Sequence, residues 1–215
     1  MSDMGTGTAI RQPVEQDAPL VAFDFDGTLT VRDSFTAFLK WRGGRGGYAL
    51  GLLRLAPAVA GYARDRDRGR IKAAAVREFL LGTPRAELEA DAGRFADHAW
   101  SRFMRPDALA CWEAWGRKGA RRVIVTASPE TTVAPFARRL GADGLLGTQL
   151  EFDAEDRVAG AFAGENCRGA EKVRRLEQAY GPGLRLAAAY GDTSGDAEML
   201  AIADEAGFRR FQQRP

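Results

Sequence analysis

The sequence predicts an α/β protein built on a parallel β-sheet, with a helical subdomain inserted after the first strand. Three short apolar runs each end abruptly in polar residues, which is typical of buried parallel strands at their carboxyl ends. Helix-period segments lie between and after these runs. Strands that alternate with helices form βαβ units, so we expect helices on both faces of the sheet.

Each predicted strand delivers polar residues to the same edge of the sheet. The strands are predicted at residues 21–23, 122–125 and 186–190, and the polar clusters that follow them at residues 24–28, 126–130 and 191–196. Helices are predicted at residues 106–118, 131–140, 170–180 and 196–203. Because ligands bind outside the carboxyl ends of the strands in such sheets, the three polar clusters are expected to form one site.

The segment from residue 34 to residue 104 does not follow this alternation. Its apolar residues recur with helical spacing, for example at Phe35, Phe38 and Leu39, so it is predicted to be an inserted helical subdomain. We therefore divide the chain into a flexible N-terminal tail, a core in two pieces and this insertion. Their bounds are residues 1–19, residues 20–33 with 105–215, and residues 34–104.

One apolar stretch within the insertion, residues 48–60, could serve three purposes. It is interrupted by Arg54 and Pro57 and is shorter than the roughly 20 residues that cross a bilayer, so no transmembrane segment is expected. It could be a buried helix, a helix lying on a membrane surface or a dimer contact. The buried helix is the interpretation we favour.

Composition excludes several classes of function. The 215 residues carry a net charge of only +2, with basic residues spread along the chain, which argues against a nucleic-acid-binding protein. The only histidine is His98, so a His-rich zinc site is excluded. Cys111 and Cys167 form no CxxC pair, which suits a reducing compartment, and no signal peptide is recognisable. A cytoplasmic protein with a small-molecule partner is expected, and its oligomeric state is left open.

The first polar cluster contains two carboxylates that could act together on a phosphoryl group. Asp24 and Asp26 are separated by one residue, so at about 3.3 Å per residue they would point to the same side and flank a space between them. One could attack while the other handles protons. The alternative is a strand end followed by a turn, since Asp and Gly both favour turns.

The other two clusters strengthen the catalytic interpretation. Thr126 supplies a hydroxyl, and Asp192 and Asp196 supply oxygen ligands of the kind that Mg²⁺ prefers. Lys172 precedes the third strand on a predicted helix. A divalent cation would offset the repulsion between carboxylates gathered at one edge.

These residues resemble the four motifs of the haloacid dehalogenase (HAD) superfamily, in its phosphoserine-phosphatase-like branch. The motifs are residues 24–30 (DFDGTLT), Thr126, Lys172 and residues 191–196 (GDTSGD). The resemblance extends from residue 20 to about residue 205. It implies a Rossmann-like core, an inserted helical cap of the C1 type and a Mg²⁺-dependent phosphatase.

The resemblance also implies a role for each motif residue. Asp24 would be the nucleophile that forms an aspartyl phosphate, and Asp26 would be the general acid and then the general base. Dehalogenases lack an acid at the position of Asp26, so its presence favours a phosphatase. Mg²⁺ would be held by Asp24, Asp192, the backbone carbonyl of Asp26 and, directly or through water, Asp196. The remaining phosphoryl oxygens would be held by Thr126, the Ala127 N–H and Lys172.

Three further residues have an open role. The cation that neutralises the phosphate could be Lys172 or Arg168, and we favour Lys172 because a compact ammonium fits a crowded site. Ser128 could touch the phosphate or cap the helix that follows it. Asp33 could meet a substrate ammonium, as an acid does in phosphoserine phosphatases, or it could cap its own helix.

The substrate is therefore expected to be a small phosphomonoester, with phosphoserine and histidinol phosphate as two amine-bearing candidates. Arg70 and Arg77 are the nearest candidates for binding a serine carboxylate. The alternatives are a phosphotransferase with an alcohol acceptor and a signalling module that accepts phosphate on Asp24. Members of the superfamily commonly continue with another strand and helix after the fourth motif, so the sheet is expected to be one element short.

Overall fold

The computed structural model describes residues 18–65 and 68–215. Most of the predicted tail, residues 1–17, lies outside the described residues. The helices are α1 (Ser34–Asp65), α2 (Arg68–Leu80), α3 (Arg85–Phe103), α4 (Pro106–Arg117), α5 (Glu130–Leu140), α6 (Ala170–Tyr180) and α7 (Ala197–Ala201). The strands are β1 (Leu20–Phe23), β2 (Arg121–Pro129), β3 (Gly144–Thr148), β4 (Leu150–Phe152), β5 (Val158–Phe162), β6 (Leu186–Gly191) and β7 (Ala203–Phe208).

A five-stranded parallel sheet forms the centre of the fold, in the order β3–β2–β1–β6–β7. All four residues of β1 are buried, and Phe23 pairs with Ile124 of β2 on one side and with Tyr190 of β6 on the other. The chain builds outward from β1 through β2 to β3 and then resumes on the opposite side of β1. The predicted α/β class with a parallel Rossmann-like sheet is confirmed, and the carboxyl ends of β1, β2 and β6 meet where the strand order reverses.

The helices predicted around this sheet are present with small changes at their ends. Pro106 begins α4 at the position where a missing N–H costs nothing, and α5 stops at Gly141, whose φ of 61° is left-handed. Helix α6 matches its prediction, whereas α7 ends two residues early because the chain enters β7.

Three helices, α1 to α3, occupy the predicted insertion, and they pack on the core. Phe95 and Trp100 of α3 contact the ring of Phe136 in α5, with centroid distances of 6.1 and 6.2 Å. A single hydrophobic cluster extends from β1 into these helices. The division into core and cap domains stays a prediction.

A two-stranded antiparallel hairpin, β4–β5, ties the insertion to the core. The turn between α2 and α3 bonds to it through three backbone hydrogen bonds, Gly82 N to Val158 O (2.8 Å), Val158 N to Thr83 O (2.9 Å) and Arg85 N to Asp156 O (2.9 Å). This hairpin is not predicted from the sequence, because strands of three and five residues carry little periodic signal.

Two expectations about the chain need correction. The sheet does not end at the third predicted strand, because β7 pairs with β6 from Leu186–Ala203 to Gly191–Phe208. Its sequence, ADEAGF, has two acids and no β-branched residue, which hides an edge strand. The apolar stretch that was predicted to be a buried helix is largely exposed over residues 48–56, the part whose burial is described, since residues 49, 50, 52, 53, 54 and 56 are exposed. Among the described residues, no helix is both long and apolar enough to span a membrane.

Candidate active site

The nucleophile candidate lies where β1 ends and a wide turn, residues 25–29, begins. The N–H of Asp24 donates to Tyr190 O at 2.9 Å, so the residue is still held by the sheet, and its side chain is buried. Gly27 has a φ of 87°, and a Cβ there would lie 2.2 Å from Asp192 Oδ2. The turn therefore needs glycine both for its backbone and for the close approach of the Asp192 carboxylate.

Lys172 is buried at the centre of the site, and its ammonium donates three hydrogen bonds there. Its Nζ donates to Asp24 Oδ1 at 2.7 Å, to Asp196 Oδ1 at 2.6 Å and to Val125 O at 2.7 Å. Burial disfavours its charged form, but the charges of Asp24 and Asp196 outweigh it, so the pKa of Lys172 lies above its usual value. The lysine remains an ammonium and pairs carboxylates that come from two strand ends.

Three carboxylates converge beside this lysine. Ligand oxygens of Asp24, Asp192 and Asp196 all lie within 4.8 Å of one another. Burial raises the pKa of Asp24 to about 6, against the opposing charge of Lys172, and burial together with the other two carboxylates raises the pKa of Asp192 to about 6. Asp192 Oδ1 is buried and has no hydrogen-bond partner among the described residues. One lysine does not neutralise this cluster, and the donor set fits a hard divalent cation.

Asp196 is fixed by the loop that carries it. Its Oδ2 accepts from Thr193 N at 2.9 Å and from Asp192 N at 3.2 Å, while Oδ1 accepts from Lys172. Burial opposes ionisation, but Lys172 and these donors prevail and lower the pKa of Asp196. The carboxylate is thus ionised and oriented before any ligand binds.

Asp26 is arranged differently from Asp24. Its Oδ1 accepts from the backbone N–H of Ser34 at 2.7 Å, and its Oδ2 accepts from the Ser128 hydroxyl. Burial and then the charge of Asp33 raise its pKa, while the hydrogen bonds from Ser128 and Ser34 oppose the rise. The carboxyl group is held rigidly and takes up a proton more readily than a free aspartate.

Of the three site residues predicted at the end of β2, only one lines the cleft. Ala127 lines the cleft, whereas Thr126 and Ser128 are fully buried and lie outside its walls. The Thr126 hydroxyl accepts from Ser128 N at 3.1 Å. The phosphate-binding roles of Thr126 and Ser128 stay predictions, and the structure adds a contact between Ser128 and Asp26.

Asp33 and Arg168 both reach the cleft wall. Asp33 Oδ1 also accepts from Thr36 N at 2.7 Å and so caps α1, whereas its contact with a substrate ammonium stays a prediction. Arg168 donates to Ser194 Oγ at 3.0 Å and has no hydrogen bond to Asp24 among the described contacts. Of the two candidate cations, Lys172 is the one in contact with the nucleophile candidate.

The cleft has a volume of about 650 Å³ and contains basic residues that the sequence analysis missed. Lys72 donates to Ala127 O at 3.2 Å, and Arg105 donates to Gly27 O at 3.3 Å and to Thr30 O at 3.2 Å. Arg32 completes this group. The lining residues do not include Arg70 or Arg77, and among the residues of α2 whose side chains are described, Lys72 brings a positive charge to the wall. No local motif marks a single lysine in a helix, so only the packing of α2 reveals it.

The chain is similar in sequence and in fold to known proteins. Residues 21–201 match the family of haloacid dehalogenase-like hydrolases. Protein CicA of Caulobacter vibrioides is 59% identical over 196 residues, covering 91% of this chain and 88% of CicA. A protein of unknown function from Bordetella pertussis Tohama I has a solved structure with a TM-score of 0.72 and 26% identity, covering 86% of each chain.

A solved phosphoserine phosphatase, described as a phospho-aspartyl intermediate analogue, shares the fold. Its TM-score is 0.59 at 18% identity, and the match covers 88% of this chain and 85% of that one. The sequence-based assignment to the superfamily is confirmed by the family match. The predicted cytoplasmic location stays a prediction.

Proposed function

The chain belongs to the haloacid dehalogenase-like hydrolase family, and from that premise we propose that it hydrolyses phosphomonoesters of small molecules through an aspartyl phosphate on Asp24. One observation carries the proposal: the Asp24 carboxylate lies 2.7 Å from the buried Lys172 ammonium, inside an acidic cluster, with Asp26 two residues away. The phosphoserine phosphatase that shares the fold has a structure described as a phospho-aspartyl intermediate analogue, which supports the same chemistry here.

Asp24 is suited to nucleophilic attack because both of its oxygens are positioned. Oδ1 accepts from Lys172 and Oδ2 accepts from the Thr28 hydroxyl at 3.3 Å. Attack on phosphorus forms the acyl phosphate and breaks the bond to the leaving alkoxide. With a pKa of about 6, the side chain is ionised at neutral pH, as a nucleophile must be.

Asp26 is suited to proton transfer because its pKa is raised by burial and by the charge of Asp33. In the first step it would give a proton to the departing alkoxide, and in the second it would take one from the water that hydrolyses the acyl phosphate. The hydrogen bonds from Ser34 N and Ser128 Oγ hold the carboxyl in one orientation for both steps.

The acidic cluster fits Mg²⁺, which would be held by Asp24, Asp192 and Asp196, with the backbone carbonyl of Asp26 as a further predicted ligand. When bound, the ion would neutralise charge on the transferred phosphoryl group. Within the chain, Lys172 is proposed as the phosphate-neutralising cation because it contacts Asp24. Arg168, at the wall, contacts Ser194 instead.

The cleft wall supports a substrate with charged groups beyond the phosphate. Asp33 offers a carboxylate for an ammonium, and Lys72 offers an ammonium for an anionic group. Phosphoserine carries both groups, whereas histidinol phosphate carries only the amine. We therefore propose a phosphorylated amino acid or a similar zwitterion as the substrate class.

Hydrolysis of an aryl phosphate tests the reaction, with Mg²⁺ and then with excess chelator. We expect Mg²⁺-dependent turnover by the wild type, a loss of at least about a thousandfold in Asp24→Asn, and little change in Asp97→Asn, an exposed acid on α3. Absence of Mg²⁺-dependent turnover would contradict the proposal. Product analysis with added alcohols separates hydrolysis from phosphotransfer, and a stable phosphoprotein without turnover would indicate the signalling alternative.

A further inference from the structure

The second half of α1 exposes an apolar surface. Beyond Gly44, where a φ of 61° interrupts the helix, Leu50, Leu52 and Leu53 are exposed by 49%, 46% and 73%. Isolated exposed leucines are common, but three within four positions form a patch. No other part of the described chain covers these three side chains, so we ask which partner molecule could bury them.

The opposite face of this helix explains why the leucines point outward. Gly51 packs against α2 so closely that a Cβ there would lie 2.2 Å from the Phe79 ring, and Tyr48 stacks on the same ring at 5.5 Å. Leu55 is buried on that side as well. At 100° per residue, Leu53 lies opposite this side of the helix, and Leu50 and Leu52 lie at the two borders of one apolar arc. We call this arc the leucine face, and it consists of Ala49, Leu50, Leu52, Leu53 and Ala56.

The sequence segment that contains this face is strongly basic, contrary to the even spread expected from composition. Three of its basic residues have partners in the structure: Lys72 donates to Ala127 O in the cleft, Arg42 pairs with Asp91, and Arg54 pairs with Glu78. Residues 40–72 contain nine Lys or Arg and two Asp, a net charge of +7, whereas the whole chain carries only +2. The remaining residues therefore carry −5. An apolar helix face inside a strongly basic segment is the pattern of helices that lie on anionic bilayers.

We propose that the leucine face of α1 docks on the surface of an anionic lipid bilayer. A second copy of the chain is disfavoured as the occupant, because a symmetric contact would bring two segments of +7 together. Nucleic acid would satisfy the charge but would leave the leucines in water. A bilayer would bury the leucines below its headgroups, and its anionic lipids would attract the basic segment electrostatically.

Vesicle cosedimentation of the full chain tests this docking. The wild type is compared on phosphatidylcholine vesicles with and without phosphatidylglycerol, beside Leu52→Ser/Leu53→Ser and the control Phe208→Ser, which removes a 54% exposed apolar side chain from β7. We expect binding only to the anionic vesicles, a loss of at least about tenfold in the double variant, and no change in the control. Asp24→Asn should bind like the wild type, which separates docking from catalysis.

Several results would overturn the docking proposal. Binding that the double variant retains in full would show electrostatic attraction without insertion. Absence of binding by the folded wild type would exclude the bilayer. A wild-type dimer that becomes a monomer in the double variant, measured by light scattering and without vesicle binding, would assign the leucine face to a second copy. Circular dichroism of each variant confirms that it is folded.

Discussion

Neutralising one carboxylate of the acidic cluster should stabilise the metal-free protein. The change is Asp192→Asn, which keeps the shape of the side chain. Asp192 Oδ1 is buried without a hydrogen-bond partner, and no described residue donates to the carboxylate, so the amide loses no observed bond. What the substitution removes is a negative charge held near Asp24 and Asp196.

The size of the effect follows from the pKa of Asp192. Burial and the charges of Asp24 and Asp196 raise this pKa from 3.8 to about 6. Each unit corresponds to about 1.4 kcal/mol, which would give about 3 kcal/mol. Because Asp192 is only half buried and solvent screens its charge, the expected cost to the metal-free fold is about 1–2 kcal/mol. Because the folded pKa lies above the unfolded one, the cost is complete above about pH 6 and disappears as the pH falls through the folded pKa toward 4.

Urea denaturation with chelator measures the effect. At pH 7.5 we expect Asp192→Asn to have a higher free energy of unfolding than the wild type, and at pH 4 we expect the two to converge. With Mg²⁺ at about 100 times its dissociation constant, the wild type should gain about 2.7 kcal/mol, whereas the variant, with one anionic ligand fewer, should gain much less. The difference in free energy of unfolding between Asp192→Asn and the wild type should therefore become smaller or change sign when Mg²⁺ is added.

A matched control separates the cluster from a general charge effect. Asp97→Asn makes the same change at an exposed acid whose nearest ion-pair partner is Arg139 at 3.7 Å, and it should alter stability by less than about 0.5 kcal/mol. If Asp192→Asn lowers stability in chelator, or if Mg²⁺ stabilises it as much as the wild type, the reasoning about an uncompensated carboxylate is refuted.

Three other substitutions test metal binding, proton transfer and substrate binding in turn. Gly27→Ala forces a Cβ into a left-handed position 2.2 Å from Asp192 Oδ2, so calorimetry should show Mg²⁺ affinity reduced by about tenfold or more. Ser128→Ala removes a donor that favours ionised Asp26, so the pKa of Asp26 should rise and the alkaline limb of the pH–rate profile should move to higher pH. Lys72→Ala should raise the KM for phosphoserine about tenfold while kcat for an aryl phosphate changes less than twofold.

The sequence predicted the features that a short stretch of chain encodes by itself. The apolar run that stops at Asp24 indicates both a buried strand and the position of its carboxyl end. A strand that is buried on both faces carries apolar side chains, and polar side chains begin where the strand reaches the edge of the sheet. Parallel topology then brings the ends of β1, β2 and β6 together, so Asp24, Lys172 and Asp192 could be placed in one site before their distances were known.

Features that depend on packing between distant segments were not predicted. Lys72 reaches the cleft only because α2 lies over the end of β2, and nothing local distinguishes it from Arg70 or Arg77. The exposure of Leu53 depends on which face of α1 meets α2, which Gly51 decides by allowing close contact with Phe79. Periodicity identifies an apolar helix, but it does not say which of its apolar residues find a partner.

The charge balance of the site connects its stability to its proposed chemistry. Lys172 lies within 2.7 Å of Asp24 and Asp196, which leaves Asp192 without a cation of its own in the described contacts. A second lysine could offset the charge of Asp192, but under the proposed mechanism a phosphoryl group has to reach Asp24 in the same cleft. An exchangeable divalent cation avoids this conflict, because it neutralises the carboxylates and still has coordination positions for a phosphate oxygen. Under the proposed function, the surplus of negative charge is thus the cost in stability of a cleft that stays open to phosphate.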